Sequence, residues 1–418
     1  MKNFIATLLF LLVGVSLSAQ TMYSKEMARS QGYHWTHGKN WDYVNGLVAK
    51  SLLDLCEQYG MNNTENSDFY AWAKAYTDNA INEDGSFKDF RKGNIDNINS
   101  GKVLFEIYHH EKDLDKKNGT HHADRYKAAA DFLKNYLQTD YPRIQFGDAK
   151  GCFFHKAIYP NQMWLDGLYM GAAFYAEWLA NFAPNDMESW SDIANQFKVV
   201  HRHTYDKAKK LNYHGWSADP EDENSFWANK TEPYKGCSKE FWGRGMGWFF
   251  AALVDVLENM PKSHPDYKEL TVIVNEVAEG LAKWQDKKSG VWYQLLQYDD
   301  SYMSECGKPN YLESSASSMF TYSYLKGLRI GVLPTKYKKV ALKAYDGLLK
   351  TFVSKNEDGT INVNQSCRSA GLGPAKSKNR DGSADYYLCG GDVWIVHNEG
   401  KAVGPFIMAS LEYERMKK

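Results

Sequence analysis

The sequence predicts an all-α protein: helical hairpins closed into a toroid, with long loops and short β-hairpins gathered at one rim. Three observations lead there. Apolar residues recur at three- and four-residue steps in about ten segments. The connections between them alternate between short and long. No strand–helix alternation, no G-x-G-x-x-G after a strand and no P-loop occurs, which excludes a nucleotide-binding sheet. A helical solenoid would share the helix count, but no fixed-period repeat is present.

The chain opens with MKNFIATLLFLLVGVSLSAQ. Lys2, an apolar run from Phe4 to Val15 and small residues before Ala19 and Gln20 form the pattern of a cleaved secretory signal. The run is short for a membrane span. The first cysteine is Cys56, which excludes lipid attachment just after the cleavage point. Residues 1–20 are therefore expected to be a signal peptide. Residues 21–418 are expected to form a single domain, soluble and exported, periplasmic or secreted.

From Trp41 the sequence reads as helix after helix. Trp41, Val44, Val48, Leu52 and Leu55 share one face, and Gly60 can end that helix. GKVLFEIYHHEKD and RYKAAADFLKNYLQ follow. A fourth helix begins near Asp166, where Pro160 and Asn161 mark the turn before it. DIANQFKVVHRHTYD is a weaker fifth. GWFFAALVDVLENM stops at Pro261. ELTVIVNEVAEGLAKWQD, SASSMFTYSYLKGLRIG, KYKKVALKAYDGLLKTFV and AVGPFIMASLEYERM complete the set, and a further helix is expected around Asp68 to Tyr76. The long connections Asn212 to Gly243, Gln285 to Ser315 and Glu357 to Gly400 are of the kind that carries function. Short hairpins are expected at GVWYQLLQY and YYLCGGDVWIVH.

Composition narrows the chemistry. With 50 basic and 51 acidic residues and no basic tract, electrostatic nucleic-acid binding is excluded. Aromatic residues make up 15% of the chain, which suits a site that stacks sugar faces as well as a ring-filled core. None of the six cysteines forms a C-x-x-C, so a zinc site lacks support. An oxidising compartment permits disulfides. Cys367 and Cys389 are the closest pair in sequence, and buried free thiols are the rival outcome.

Four segments carry groups that could do chemistry. In NIDNINSGKVLFEIY, Asp96 precedes an apolar helix and reads either as a cap or as an acid. FFHKAIYPNQMWLDGLYMG places His155, Lys156, Trp164 and Asp166 close together; Asp166 at a helix start is either a dipole partner or a catalytic acid raised by apolar walls. YHGWSADPED holds His214, a structural histidine or a pocket one. EFWGRGMGWFF surrounds Arg244 with Trp242, Trp248 and three glycines. It reads as a tight turn between helices or as a carboxylate-binding fork between stacking rings.

These segments, in this order, resemble glycoside hydrolase family 105, the unsaturated rhamnogalacturonyl hydrolases. The related family 88 unsaturated glucuronyl hydrolases are more distant. The resemblance rests on W-x-R-G-x-G-W at Trp242 to Trp248, H-K then W-x-D-x-L-Y-M-G at His155 to Gly171, D-x-x-x-x-G at Asp96 and His-Gly-Trp at His214, and it extends from about Trp35 to Glu414. It implies an (α/α)6 barrel. It also implies removal of a 4,5-unsaturated uronic acid from the non-reducing end of a polysaccharide-lyase product, by hydration of the vinyl ether. On that pattern Asp166 is the general acid and then the base for water, and Asp96 is its partner acid. His155, Lys156, Trp164, His214, Trp242, Arg244 and Trp248 are the expected substrate-binding residues. The chemistry implied requires neither metal nor organic cofactor, and the partner is an oligosaccharide.

Asp166 is accordingly expected to be held above the usual carboxylate range by apolar walls and a second carboxylate. Rhamnogalacturonan-derived disaccharide is the first substrate expected, with pectin as parent. Unsaturated products from ulvan or glycosaminoglycans are the alternatives. An ordinary two-carboxylate glycosidase, a sugar epimerase with a histidine pair and an exported glycan-binding protein without catalysis are the competing readings. Loops such as Asp286 to Pro309 and Asn356 to Tyr387 are expected to set the choice of sugar.

Overall fold

A computed structural model describes residues 21–417. The expected signal peptide, residues 1–20, lies outside the described residues. Twelve helical stretches build the barrel. They are α1 (residues 23–36), α2 (Tyr43–Tyr59), α3 (Thr64–Ala80), α4 (residues 96–118), α5 (residues 124–140), α6 (residues 165–182), α7 (Met187–Thr204), α8 (Gly243–Asn259), α9 (Tyr267–Trp284), α10 (Ser314–Arg329), α11 (Lys338–Phe352) and α12 (Gly400–Lys417). The even-numbered helices form an inner ring. Each packs on the next, and α12 returns to α2 to close the circle. Each odd-numbered helix packs outside an inner one. This is the (α/α)6 barrel, and closure by α12 on α2 excludes an open solenoid.

Local chemistry sets the helix ends. Asp42 accepts from Val44 N and Asn45 N at the start of α2, Asn63 from Asn66 N at α3 and Asp186 from Ser189 N at α7. Glu313 accepts from Ser315 N and Ala316 N at α10. Gly60 and Gly119 end α2 and α4 at positive φ. The weak fifth segment is the full-length helix α7, and the segment around Asp68 belongs to α3. Helix α1 was not located from its pattern. It contains Gly32 within a π turn, where a Cβ would come within 3.1 Å of Leu52, so close packing against α2 put a poor helix former in mid-helix.

Apart from residues 37–42, a short connection from α1 into α2, the connections fall into two sets. Residues 60–63, 119–123, 183–186, 260–266 and 330–337 are short and lead from inner to outer helices. Residues 81–95, 141–164, 205–242, 285–313 and 353–399 are long and lead back inward. All inner helices therefore start at the long-loop rim. Four two-stranded antiparallel pairs lie in these long connections. Neither GVWYQLLQY nor YYLCGGDVWIVH folds back on itself as a hairpin, though the second supplies Ile395–Val396 to an antiparallel pair with Ser366–Cys367. The first makes only isolated bridges, Trp242 with Leu295 and Tyr293 with Leu312. In the second, Ala384–Cys389 is a short helix capped by Ser383, because a serine N-cap outweighs the strand-like alternation. The disulfide joins Cys306 to Cys389, not Cys389 to its nearer neighbour Cys367. Cys56, Cys152, Cys237 and Cys367 are free and buried.

The barrel axis is occupied by rings. Tyr43 meets Trp248 edge-on at 6.3 Å, Trp248 meets Tyr169 at 4.8 Å, and Lys102 Nζ lies 3.5 Å over the Tyr169 ring. A cavity of about 680 Å³ opens at the long-loop rim beside Trp41, Tyr43, Arg91 and Asp96. A second, of about 470 Å³, opens at the opposite rim beside Lys50, Glu177, Asp255 and Lys326.

Close contact between inner helices depends on residues without side chains. A Cβ on Gly46 of α2 would lie 2.2 Å from Ser100 Oγ and 2.7 Å from Ser100 Cα, one turn into α4. Gly46→Ala is expected to force α2 and α4 apart and cost about 1–3 kcal/mol. A lowered urea midpoint at unchanged m-value would show it; an unchanged midpoint would contradict the packing described.

Candidate active site

The first turns of α4, α6 and α8 bring the predicted residues to the long-loop rim. One strand pair does much of the positioning. Gln162–Trp164 runs antiparallel to Gly215–Ser217, with Trp164 opposite Gly215. Leu165 N donates to His214 O at 3.0 Å, which fixes His214 beside the start of α6. Gly215 is required by space: a Cβ there would lie 2.7 Å from Leu372 and 3.0 Å from the Trp164 ring. Gly245 of α8 leaves room in the same way, since its Cβ would meet His214 Cδ2 at 3.1 Å. The glycines of W-x-R-G-x-G-W therefore open the first turn of α8 to the groups packed on it, and the segment is not an interhelical turn.

Asp166 does not cap α6. Its Oδ2 meets Nε2 of His214 at 2.9 Å, and the Nδ1 of that ring meets the hydroxyl of Tyr387 at 2.6 Å. His214 is fully buried, and the Asp166 side chain is 14% exposed. Asp96 does not cap α4 either. Asn94 Oδ1 accepts from the Asp96 backbone N–H, and Asp96 Oδ2 is paired with Lys156 Nζ at 2.6 Å. The two carboxylates thus have different partners, a histidine for one and an ammonium for the other.

The expected upward shift of Asp166 is not what this arrangement produces. Burial pushes its carboxyl up, but the pairing with His214, with a further contribution from His155, outweighs burial and holds it below its ordinary value. Asp96 is tied to Lys156, so the second carboxylate does not face Asp166 as a bare charge. His155 is pushed well below its ordinary value by burial and then by Lys156, and its Nδ1 is buried without a hydrogen-bond partner among the described residues. Lys156 is held above its ordinary value: burial lowers it, and Asp96 more than compensates.

The three tryptophans are buried behind the polar groups of the site. Trp164, Trp242 and Trp248 are 4%, 2% and 1% exposed. Trp164 stacks on His155 at 4.2 Å and on Tyr159 at 4.7 Å, and is covered by Leu372. Trp242 packs against His214 and Tyr387. Trp248 belongs to the ring stack on the barrel axis. Arg244, 1% exposed, has much of its fork taken by protein: Nε donates to Ser315 Oγ at 2.7 Å, and Nη2 donates to Ser366 Oγ and to the Cys367 carbonyl. Glu313 lies 3.6 Å away. Among the described residues, Nη1 makes no hydrogen bond to protein.

Two residues at the centre escaped sequence reading. Tyr43 feels Asp96, Arg244 and Asp166 at once, and burial, then Asp96, holds its phenol far above its ordinary value. In sequence it is one more ring on an amphipathic helix. Tyr387 lies in a segment with strand-like alternation, and its partner His214 is remote in sequence; no local pattern signals either. The large cavity is lined by Asp96 and not by Asp166.

The balance at Asp166 has a readable consequence. In His214→Phe, burial acts on the carboxyl without its main opposing partner, so the Asp166 pKa is expected to rise above the usual carboxylate range in a carbon-13 NMR titration. The linkage changes sign with it. In the native protein the depressed carboxyl adds stability above the unfolded value of about 3.9, lost as pH falls through the folded value. In the variant, stability falls as pH rises from about 4 through the raised value. A carboxyl that stayed low in the variant would refute this account.

Comparison with known proteins gives three kinds of match. The profile described as Glycosyl Hydrolase Family 88 matches residues 18–417. A solved C. acetobutylicum glycoside hydrolase from family 105 shares 36% identity, covering 94% of this chain and 100% of that one, with a TM-score of 0.80. The unsaturated rhamnogalacturonyl hydrolase YesR of Bacillus subtilis is 24% identical over 350 residues, 82% of each chain. An unsaturated 3S-rhamnoglycuronyl hydrolase of Alteromonas is 30% identical over 123 residues, 29% of this chain and 27% of that one.

Proposed function

This chain belongs to glycosyl hydrolase family 88, in the group that includes its family 105 relative, and is a glycosidase of the unsaturated uronyl and rhamnogalacturonyl class; from that premise we propose that it releases a 4,5-unsaturated uronic acid from the non-reducing end of a rhamnogalacturonan-derived disaccharide, with Asp166 as general acid and base. The observation that carries the reading is the Asp166–His214 pair. It joins a carboxylate in the first turn of α6 to a buried imidazole through Oδ2.

The residues fit the chemistry of vinyl ether hydration. Asp166 gives a proton to C4, the electron pair of the C4=C5 bond forms the new C–H bond, and positive charge develops at C5 and the ring oxygen. Water adds at C5 and returns its surplus proton to Asp166. The hemiketal then opens as its C5–O bond breaks, leaving a ketone at C5 and a hemiacetal at C1, which releases the neighbouring sugar. Atoms balance with one water consumed and no oxidant. General acid–base work of this kind is worth roughly 10²–10⁴ in rate. The Asp96–Lys156 pair and Tyr43 supply polar contacts at the cavity, and the inner-helix N-termini favour the uronate carboxylate. Because the free acid is held low, kcat/KM is expected to rise as pH falls from neutrality, the protonated fraction growing on that side.

A second substrate reading, an unsaturated rhamnoglycuronyl product, is favoured by the similarity to the Alteromonas enzyme. We further propose export, on the pattern of residues 1–20; the Cys306–Cys389 disulfide supports an oxidising compartment.

Lyase-generated disaccharides from rhamnogalacturonan, ulvan and glycosaminoglycans, followed by loss of ultraviolet absorbance, distinguish these substrates. The rhamnogalacturonan product is expected to be consumed fastest, and saturated analogues to be left intact. Equal cleavage of a saturated oligosaccharide would overturn the hydration reading. Asp166→Asn is expected to lower turnover by at least about 10²-fold while KM stays within about threefold. Full activity in that variant would remove Asp166 from the mechanism.

A further inference from the structure

Tyr387 is fully buried, so its phenol reaches neither solvent nor substrate. Among the described residues its hydroxyl has one hydrogen-bond partner, Nδ1 of His214 at 2.6 Å. The other ring nitrogen, Nε2, meets Asp166 Oδ2 at 2.9 Å. A phenol, an imidazole and a carboxylate therefore form one line that ends at the rim.

We propose that Tyr387 is a positioning residue for Asp166: its O–H donates to Nδ1, fixes His214 as the neutral Nε2–H tautomer, and so aims one hydrogen at Oδ2 of Asp166. The inference rests on reading Asp166 as the acid of the hydration.

The number of hydrogens available along this line selects the tautomer. With a neutral imidazole, each of the two hydrogen bonds has one hydrogen and one lone pair. With an imidazolium, Nδ1–H must donate to the phenol oxygen, and the phenol hydrogen is left without an acceptor in a site closed to water. An unpaired buried donor costs about 1–3 kcal/mol. A phenolate would reverse the preference, but burial, followed by Tyr386 and Asp166, holds the Tyr387 phenol well above its ordinary value. The opposite neutral tautomer would set two lone pairs against each other at Oδ2 whenever Asp166 is ionised.

The surroundings hold Tyr387 in this role. Its ring stacks on Trp242 at 5.8 Å, and Gln294 Nε2 donates to its carbonyl at 3.2 Å. Gln294 Oε1 in turn accepts from Trp242 Nε1 at 3.2 Å. Cys389, on the same short helix, is joined to Cys306. The titratable groups facing the line are His155, Lys156 and Tyr43 at the Asp166 end, and Tyr386, Glu240 and Asp381 at the Tyr387 end. In consequence Oδ2 is held by a donor of known direction, and Oδ1 is the oxygen left to carry the proton delivered to carbon.

The test uses the full-length protein with nitrogen-15-labelled histidine, compared with Tyr387→Phe, which removes one oxygen and keeps the stacked ring. Native His214 is expected to show the neutral Nε2–H tautomer at neutral pH. The variant is expected to show a mixture of tautomers or an imidazolium, a kcat about tenfold lower at a KM within about twofold, and a displaced limb of the kcat–pH profile. A native imidazolium or Nδ1–H tautomer would overturn the proposal. So would a variant with unchanged tautomer and unchanged pH profile, whatever its activity. If the variant does not fold, the native spectrum alone decides. The spectra need no substrate, so failure of this proposal is distinct from failure of the hydration reading: active Asp166→Asn with the expected tautomer would sink only the latter.

Discussion

All six inner helices begin at the same rim, and the rest of the molecule depends on that constraint. It follows from the short connections, which allow only antiparallel hairpins, so that inner helices are parallel to one another. Parallel macrodipoles gather positive ends at one mouth and negative ends at the other. The side chains answer both. Asp42, Asp96, Asp166 and Glu313 stand at the starts of inner helices, while Lys326, Arg329 and Arg415 stand near the ends of α10 and α12. The same constraint sends every long connection to the mouth where the helix starts are. Loops free to vary and first-turn side chains free to react are thereby brought to one place.

At that mouth, burial and pairing are distributed unequally. Asp96 and Lys156 neutralise each other within reach of the large cavity. Asp166 is offset by a histidine that is itself enclosed. The buried tryptophans keep water from the back of these pairs, so each hydrogen bond acts in a medium of low polarity and is correspondingly strong. Rigidity here comes from packed rings and from the Cys306–Cys389 link, not from regular sheet.

Much of this was legible in the sequence. Three- and four-residue periodicity located most of the barrel helices, because each buries a stripe against a neighbour. The alternation of loop lengths pointed to the rim. Asp96, His155, Lys156, Asp166, His214 and Arg244 were legible as candidates because polar groups embedded in aromatic segments stand out. What was not legible depended on contacts between remote segments. Whether Asp166 is raised or lowered is decided by His214, and the orientation of His214 by Tyr387, far along the chain. The tryptophans were expected among the substrate-binding residues; that Trp164 is buried in one cluster with Leu372 is announced by no local pattern. The cysteine nearest in sequence to Cys389 lost to one brought close by the fold.

The ring stack on the barrel axis has a consequence for traffic. Tyr43, Trp248 and Tyr169 stop the passage between the two mouths, so the upper cavity is a cul-de-sac. A chain cannot be threaded through it and can present only a terminus. Whatever leaves must go out by the door through which the next molecule enters. Such a geometry suits single encounters, without sliding along a polymer.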